Sequence, residues 1–582
     1  MKSLFTLKKY FYARKNKLLA GVFFILLSTV SQVMIPLFLK SGIDSILNAH
    51  DYSRIAYYAG LILAASAFSG VFRFFTRFTI GRLSREIETD LRLDLWKHLQ
   101  TLPLSYFKET PTGDLMAHAT NDISAVRMFI GPAILHSVDT ALKTSFIIVI
   151  IASLNFELTI YSLLPLPFLS FFVYKLSGII HHKFAAIQSK FSDLTAKAQE
   201  SFSGIRIIKS YVRTENEISE FNKLSSEYLD KNMEKIKVQA WFMPVLLFIA
   251  GTSGIIVIWA GGNMAINNSL TLGELSAFIS YLVMLIWPMI TFGWVLNIIQ
   301  QSAASMKRLN IIFNRAPDVS DTEAETASQF LVKGEIEFKN VSLRYHSNLP
   351  FILKNINIKI PAGSTVAIIG RTGSGKSSLV NLLPRLYDVT SGKIFIDGTE
   401  IKKIPLKVLR KSMGVVPQDA FLFSDSIEEN ILYGAEARNN GLFEAAVRIS
   451  RIDKDVRAFA DGYKSVIGEK GVTLSGGQKQ RVALARALAV NPKILILDDS
   501  FSAIDAGTEE EILNNLKEFK KDKTLIIISH RISTVKNADK IYALDRGSIA
   551  EEGNHSQLLK LNGLYADLYR KQLLEKELDE LG

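Results

Sequence analysis

Six long apolar stretches occupy most of the first three hundred residues, and they constrain the fold more than any other feature of the chain. The first, Leu18 to Leu39, runs 22 residues without a charge, enough for one helix to cross ~30 Å of bilayer hydrocarbon. Others cover roughly 56–80, 130–154, 158–180, 241–266 and 274–299. The second is the weakest, because Arg73 and Arg77 lie in its final third. One such stretch suits a buried helix of a soluble protein equally well; six of this length point to a membrane domain. Ahead of the first, Met1 to Lys17 carries Lys2, Lys8, Lys9, Arg14, Lys15 and Lys17 and no acid. The positive-inside bias therefore keeps the N-terminus cytoplasmic. The first stretch exceeds a signal-peptide core and lacks a small-residue cleavage site, so it reads as a retained helix.

The connections alternate in length. Those on the outer side are short: 40–55, Asn155–Glu157 and about 267–273. Those on the inner side, about 81–129 and 181–240, are long and charged, and read as the same helices continuing into the cytoplasm. At 1.5 Å per residue, two arms from about 50 residues reach some 35 Å. Each connection breaks near its middle, at Pro111-Thr112-Gly113-Asp114 and at Ser203-Gly204 before Ile205. A short tip helix or a plain turn fits either break. Within the spans, His136, Asp139 and Lys143 share one helix face, either lining a cavity or closing an internal ion pair. Trp241, Phe242, Phe248, Trp287, Phe292 and Trp294 form either an aromatic wall for amphipathic substrates or lipid-facing anchors. Pro36, Pro244 and Pro288 are expected to kink their spans.

Past about residue 300 the character changes. A polar stretch marks a linker, and beyond 333 short β-runs alternate with helical patterns, with no further long apolar run. The expected organisation is a six-helix, all-α membrane domain over 1–310, a linker over 311–333 and an α/β P-loop domain over 334–582. The absence of cysteine excludes disulfides, Cys-ligated zinc and a thiol nucleophile. The net charge of +12 suggests an acidic partner. Six spans make that partner the bilayer and a nucleotide rather than a nucleic acid.

The soluble half holds the strongest local signal. Gly370-Arg371-Thr372-Gly373-Ser374-Gly375-Lys376-Ser377 follows the run Thr365–Ile369 and precedes an apolar helix beginning near Ser378. That is the setting in which a G-x-x-x-x-G-K-S loop cradles phosphates with its backbone N–H groups and the helix N-terminus. Lys376 is expected to reach the β/γ-phosphates of ATP and Ser377 to ligate Mg²⁺. Downstream, the strand Lys493-Ile-Leu-Ile-Leu-Asp498 ends in a carboxylate suited to the metal side of such a site. Between them, Ser475-Gly476-Gly477-Gln478 opens a helix carrying Arg481 and Arg486. This second anion nest suggests a nucleotide sandwiched between two copies of the domain.

LSGGQ between a Walker A and a Walker B motif resembles the signature of ATP-binding-cassette (ABC) proteins. With six spans and two arms the resemblance covers nearly the whole chain, which is similar to a half-transporter of the bacterial multidrug/lipid exporter group. It implies that Tyr345 stacks on adenine and that Gln418 is the Q-loop residue touching Mg²⁺. It implies that Glu469 contacts the membrane-domain loops, that Ser502 to Asp505 form the D-loop, and that His530 contacts the γ-phosphate. It makes the segments 111–122 and 200–214 coupling helices. A multi-pass protein of a bacterial inner (plasma) membrane follows, with its cassette cytoplasmic and amphipathic small molecules, drugs or lipids as cargo.

One position departs from the pattern. Asp499 stands where competent family members carry the Glu that polarises the attacking water. Its carboxylate sits about 1–1.5 Å short, and a ~1 Å misplacement can cost roughly 100-fold in rate. The intact signature and the shortened Walker carboxylate favour a heterodimer whose partner half-transporter supplies the Glu. A homodimeric flippase, or a regulatory subunit that binds ATP to gate a partner, are the alternatives.

Overall fold

The computed structural model describes residues 2–49, 52–321, 331–346, 348–468 and 474–581. Contacts divide the chain into two compact units, one of Met1–Gln100 with Thr112–Arg315 and one of Thr101–Pro111 with Ala316–Gly582.

The first unit is entirely helical. A turn at Lys2–Leu7 and a short helix Lys8–Ala13 lead into Lys15–Ala49, which pairs with the 48-residue helix Tyr52–Leu99. Then come Thr112–Leu154, Phe156–Leu163, Leu166–Ser203, Ile205–Ser210, Thr214–Ala240, Phe242–Ile266 and Leu272–Phe313. Among the described residues five helical stretches are long and apolar enough to cross a membrane: Lys15–Ile46, Ser53–Leu99, Thr112–Leu154, Thr214–Ile266 and Leu272–Phe313. The fourth apolar run, 158–180, is not one unbroken helix. It is divided at Leu164–Pro165, where the proline ring and its missing N–H interrupt the ladder. Of the three prolines expected to kink spans, Pro36 and Pro288 lie inside continuous helices. Pro244 sits in the first turn of Phe242–Ile266, just past an interruption at Trp241.

Inside this bundle several polar groups find one another, which offsets the cost of burial in a poorly solvating medium. Tyr281 donates to the carbonyl of Val33 at 2.7 Å. Asp139 accepts from Thr29 at 3.1 Å and from buried Lys143 at 3.4 Å, so the Asp139–Lys143 pair is internal. Nearer the arms, Arg308 forks onto buried Asp122, which also meets His118 Nδ1 at 2.7 Å.

The second unit is α/β. An antiparallel sheet, ordered β2-β1-β4-β5, combines β1 (Ile336–Leu343), β2 (Leu353–Ile360), β4 (Ser391–Ile396) and β5 (Thr399–Glu400). The main sheet, ordered β10-β9-β3-β8-β7-β6, combines β3 (Thr365–Gly370), β6 (Met413–Val416), β7 (Ile494–Asp498), β8 (Thr524–Ile528), β9 (Lys540–Asp545) and β10 (Ser548–Gly553). Strands β6, β7, β8, β3 and β9 are mutually parallel, and β3, β7 and β8 are buried along their whole length. That burial explains why they read as unbroken aliphatic runs.

The first connection departs from the expectation. Its short tip helix is Leu104–Glu109, upstream of 111–122, and Thr112 already begins the long helix to Leu154. Pro103 caps the short helix and Pro111 precedes the next one, so the prolines bracket the tip element rather than marking its start. The second connection follows expectation: Gly204 ends one helix and Ile205–Ser210 forms the short one.

Candidate functional site

Neighbouring parallel strands deliver the predicted site residues to one edge of the main sheet. The phosphate loop leaves the C-terminal end of β3, His530 lies just beyond β8, Asp498 and Asp499 close β7, and Gln418 follows β6. Ligands of open α/β sheets gather at this carboxyl edge.

The loop itself is built for close approach. Gly373 and Gly375 hold φ of +81° and +103°, values that side-chain-bearing residues rarely adopt. A Cβ at Gly370 would collide with the carbonyl of Leu544, so only glycine fits there. Lys376 opens the helix Lys376–Val380, and its buried ammonium donates to the carbonyls of Gly370 and Arg371, both at 3.0 Å. Burial lowers its pKa, while the charges of Asp498 and Asp499 oppose that shift. Ser374 Oγ is buried in the loop without a hydrogen-bond partner among the described residues. An orphaned hydroxyl inside a ring of turned amides suits a phosphate ligand.

Ser377 and Asp498 come together. Burial raises the pKa of Asp498, and the Ser377 hydrogen bond and the charge of Lys376 pull it back. A hydroxyl beside a carboxylate supplies the hard oxygens Mg²⁺ takes from a protein, with phosphates and water completing the shell. These residues fit Mg-ATP; the ion would offset charge on the phosphate oxygens. Asp499 is half-buried, with φ of +47° and its N–H held by the carbonyl of Ile528 at 2.9 Å. His530 is half-buried, and burial together with Lys376 keeps its pKa below the usual 6.5, which leaves the ring neutral at neutral pH. Gln418 is exposed. Tyr345 Oη lies 2.9 Å from Ser378 Oγ, and its ring meets Tyr387 edge-on at 4.9 Å.

The signature segment packs against the D-loop that follows β7. Ser475 caps the helix Gly476–Ala489 in a capping box with Gln478, whose amide also donates to Asp455 at 3.0 Å. A Cβ on Gly477 would sit 2.8 Å from the carbonyl of Ala503, so the glycine admits the backbone of the D-loop. Asp505 caps the next helix, Ala506–Phe519. Arg481 and Arg486 serve the protein: Arg481 binds Asp455 and the carbonyl of Arg451, and Arg486 binds the carbonyls of Asn430 and Phe421. Glu469 lies outside the described residues.

Several contributors were invisible in the sequence. Buried Gln480 joins signature helix to D-loop, donating to Ser502 Oγ at 2.9 Å and accepting from Ala503 N at 3.1 Å. Arg531, beside His530, pairs with buried Glu509 at 2.6 Å, and Gln572 of the C-terminal helix holds the carbonyl of His530. From the tip helix, Lys108 lies over the rings of Tyr345 and Tyr387 at 5.4 and 5.6 Å, and Glu109 pairs with His346 at 2.6 Å. No local motif announces contacts made across such separations.

Comparison with known proteins agrees with this geometry. Residues 18–289 match the ABC transporter transmembrane region and residues 353–502 match the ABC transporter family. The chain is 36% identical over 559 residues, 95% of each chain, to the probable multidrug resistance ABC transporter ATP-binding/permease protein YheI of Bacillus subtilis. It is 32% identical over 533 residues to an ATP-dependent lipid A-core flippase of Desulfotalea psychrophila, covering 92% of this chain and 93% of the relative. A solved bacterial Atm1-family ABC exporter with ATP bound superposes with a TM-score of 0.81 at 27% identity, over 96% of this chain and 99% of that one. The chain therefore belongs to the ABC transporters, as an exporter carrying a helical membrane domain and an ATP-hydrolysing cassette on one polypeptide.

Proposed function

We propose that this chain is one half of an ATP-driven exporter of amphipathic small molecules, drugs or lipids, and that it works as a heterodimer in which its own Walker face is the slow one. The cassette and the basic N-terminus face the cytoplasm of a bacterial inner membrane, and Mg²⁺ accompanies ATP at Ser377, Asp498 and Gln418. ATP bound between two cassettes closes them and turns the cavity outward, and hydrolysis resets it. Movement passes through the tip helices Leu104–Glu109 and Ile205–Ser210, and Glu469 is the cassette residue that meets the membrane-domain loops.

Asp499 carries the heterodimer reading. Its backbone is pinned at the end of β7 by the Ile528 carbonyl, so the side chain alone sets the reach of the carboxylate. It also adopts a left-handed conformation, which Asp tolerates better than most residues. The position trades reach for local ease. His530 and Lys376 remain in place on this face and the signature on the other, so the face keeps nucleotide binding and activates water slowly.

The test is Asp499→Glu in the full chain purified alone. Restored reach should raise ATP turnover by about 10- to 100-fold. Vigorous substrate-stimulated turnover by the unaltered chain, with no gain from the Glu variant, would sink the heterodimer and leave a homodimeric flippase. The multidrug and lipid-flippase relatives suit that second reading equally well.

A further inference from the structure

The turn that carries His530 is held from two sides, and one of them lies outside every motif. The imidazole itself makes no hydrogen bond to the protein among the described residues. Where the ring stands is therefore set by the backbone that bears it. On the D-loop side the next residue does the holding. Arg531 reaches the carbonyls of Ser502 and Ile504 at 3.3 Å each and pairs with buried Glu509 at 2.6 Å. Its own N–H donates to Ser529 Oγ at 3.0 Å.

On the other side the turn is held by one side chain from 40 positions further on. Gln572 donates its amide N–H to the carbonyl of His530 and accepts from the N–H of Ile532 at 2.9 Å. A carbonyl only accepts and a backbone N–H only donates, so the amide has one orientation here. Both ends of a rigid planar group are spent on two peptide units of the same turn.

The helix supplying it, Leu564–Leu581, docks by an apolar face. Tyr565, Leu568, Tyr569 and Gln572 stand at i, i+3, i+4 and i+7, and the first three pack into the hydrophobic core. Its first turn is tied down by Glu551, which accepts from the N–H groups of Leu564 and Tyr565. Tyr565 Oη meets His555 Nδ1 at 2.6 Å. Docking alone would be served by another apolar residue in this stripe. A half-buried glutamine gives up rotamer freedom and hydration, and recovers them only through its two bonds to the turn.

We propose that Gln572 is a positioning residue for ATP hydrolysis. By bracing the His530 carbonyl and the Ile532 N–H it sets where the imidazole stands against the γ-phosphate, and it makes the helix Leu564–Leu581 part of this chain's own Walker face. This rests on the reading of His530 as the γ-phosphate contact.

The test uses the full chain in nanodiscs, unaltered and with Asp499→Glu, each variant being compared with its own parent. Gln572→Met keeps the length of the side chain and loses both bonds. Leu568→Ala loosens the same helix and keeps them. Each should lower the melting temperature by a few degrees. Only Gln572→Met should lower kcat, by about ten-fold, with KM for ATP moving less than about two-fold, because the loop that cradles the phosphates is untouched. Should that variant fail to fold, Gln572→Glu carries the same expectation: it still accepts from Ile532 and no longer donates to His530.

His530→Ala separates the two levels of the argument. If it lowers kcat while the Gln572 variants do not, the proposal falls and the reading of His530 stands. If it leaves kcat unchanged, that reading fails and the proposal with it. An equal kcat loss in Leu568→Ala would reduce Gln572 to a docking residue and overturn the proposal, as would a rise in KM with kcat intact.

Discussion

The cassette has two surfaces proposed to face nucleotide, and they are built on opposite plans. At the strand ends, the proposed chemistry falls to side chains that the fold leaves unpartnered, desolvated or open: Ser374 without a partner among the described residues, Lys376 desolvated, Asp498 with its pKa raised by burial, Gln418 exposed. At the signature, side chains are already committed within the chain. Ser475 and Gln478 bind each other, Gln478 binds Asp455, and Gln480 holds the D-loop. What remains to offer an anion is the backbone at a helix N-terminus. On the proposed reading one surface reacts and the other positions, and a defect confined to Asp499 would impair the first without touching the second.

Replacing Lys376 with Ala breaks the comparison most severely. It removes the ammonium seated in the phosphate loop and frees the Gly370 and Arg371 carbonyls. ATP turnover should fall by more than about 100-fold, with nucleotide binding weakened, because a desolvated charge against phosphate has no substitute in water. Equilibrium binding of a fluorescent ATP analogue, together with phosphate release, checks both. Retained binding would mean that the loop amides do most of the work and that both surfaces hold their anion chiefly through backbone.

Gly477→Ala addresses the positioning surface. In an ordinary helix this change stabilises by about 1 kcal/mol. Here the new Cβ meets the Ala503 carbonyl at 2.8 Å and must displace the D-loop. Turnover should drop about ten-fold or more while ATP binding to the chain's own Walker face is preserved. A more active variant would show that the glycine serves chain flexibility rather than contact with the D-loop.

The same contrast explains what the sequence could reveal. The phosphate loop was legible because its chemistry demands glycine at left-handed positions, and a backbone demand leaves a readable spacing. The aliphatic runs of β3 and β7 were legible because a strand buried on both faces is lined mostly by apolar residues. The tip helix was misplaced because proline ends one element and begins another equally well, and only the packing of Leu104–Glu109 tells which side of Pro111 is helical. The interruption at Pro165 was hidden within an otherwise uniform apolar run. Gln480, Gln572 and the Arg531–Glu509 pair act across 22 to 42 positions, where no periodicity connects the partners.

The smallest effect comes from the residue that joins the two plans. Gln480→Leu keeps size and burial but removes both hydrogen bonds to the D-loop. Ser502 is exposed and recovers a bond to water, so the net loss is about 1 kcal/mol rather than the full cost of an orphaned group. The fold should survive, with a melting temperature lower by a few degrees, while the D-loop loses its register against the signature helix. Turnover should then fall about three- to five-fold at saturating ATP, with KM little changed, because positioning between cassettes is lost and contact with the nucleotide is not. A rise in KM with kcat intact would place Gln480 in binding instead, and would erase the division between a surface that reacts and one that positions.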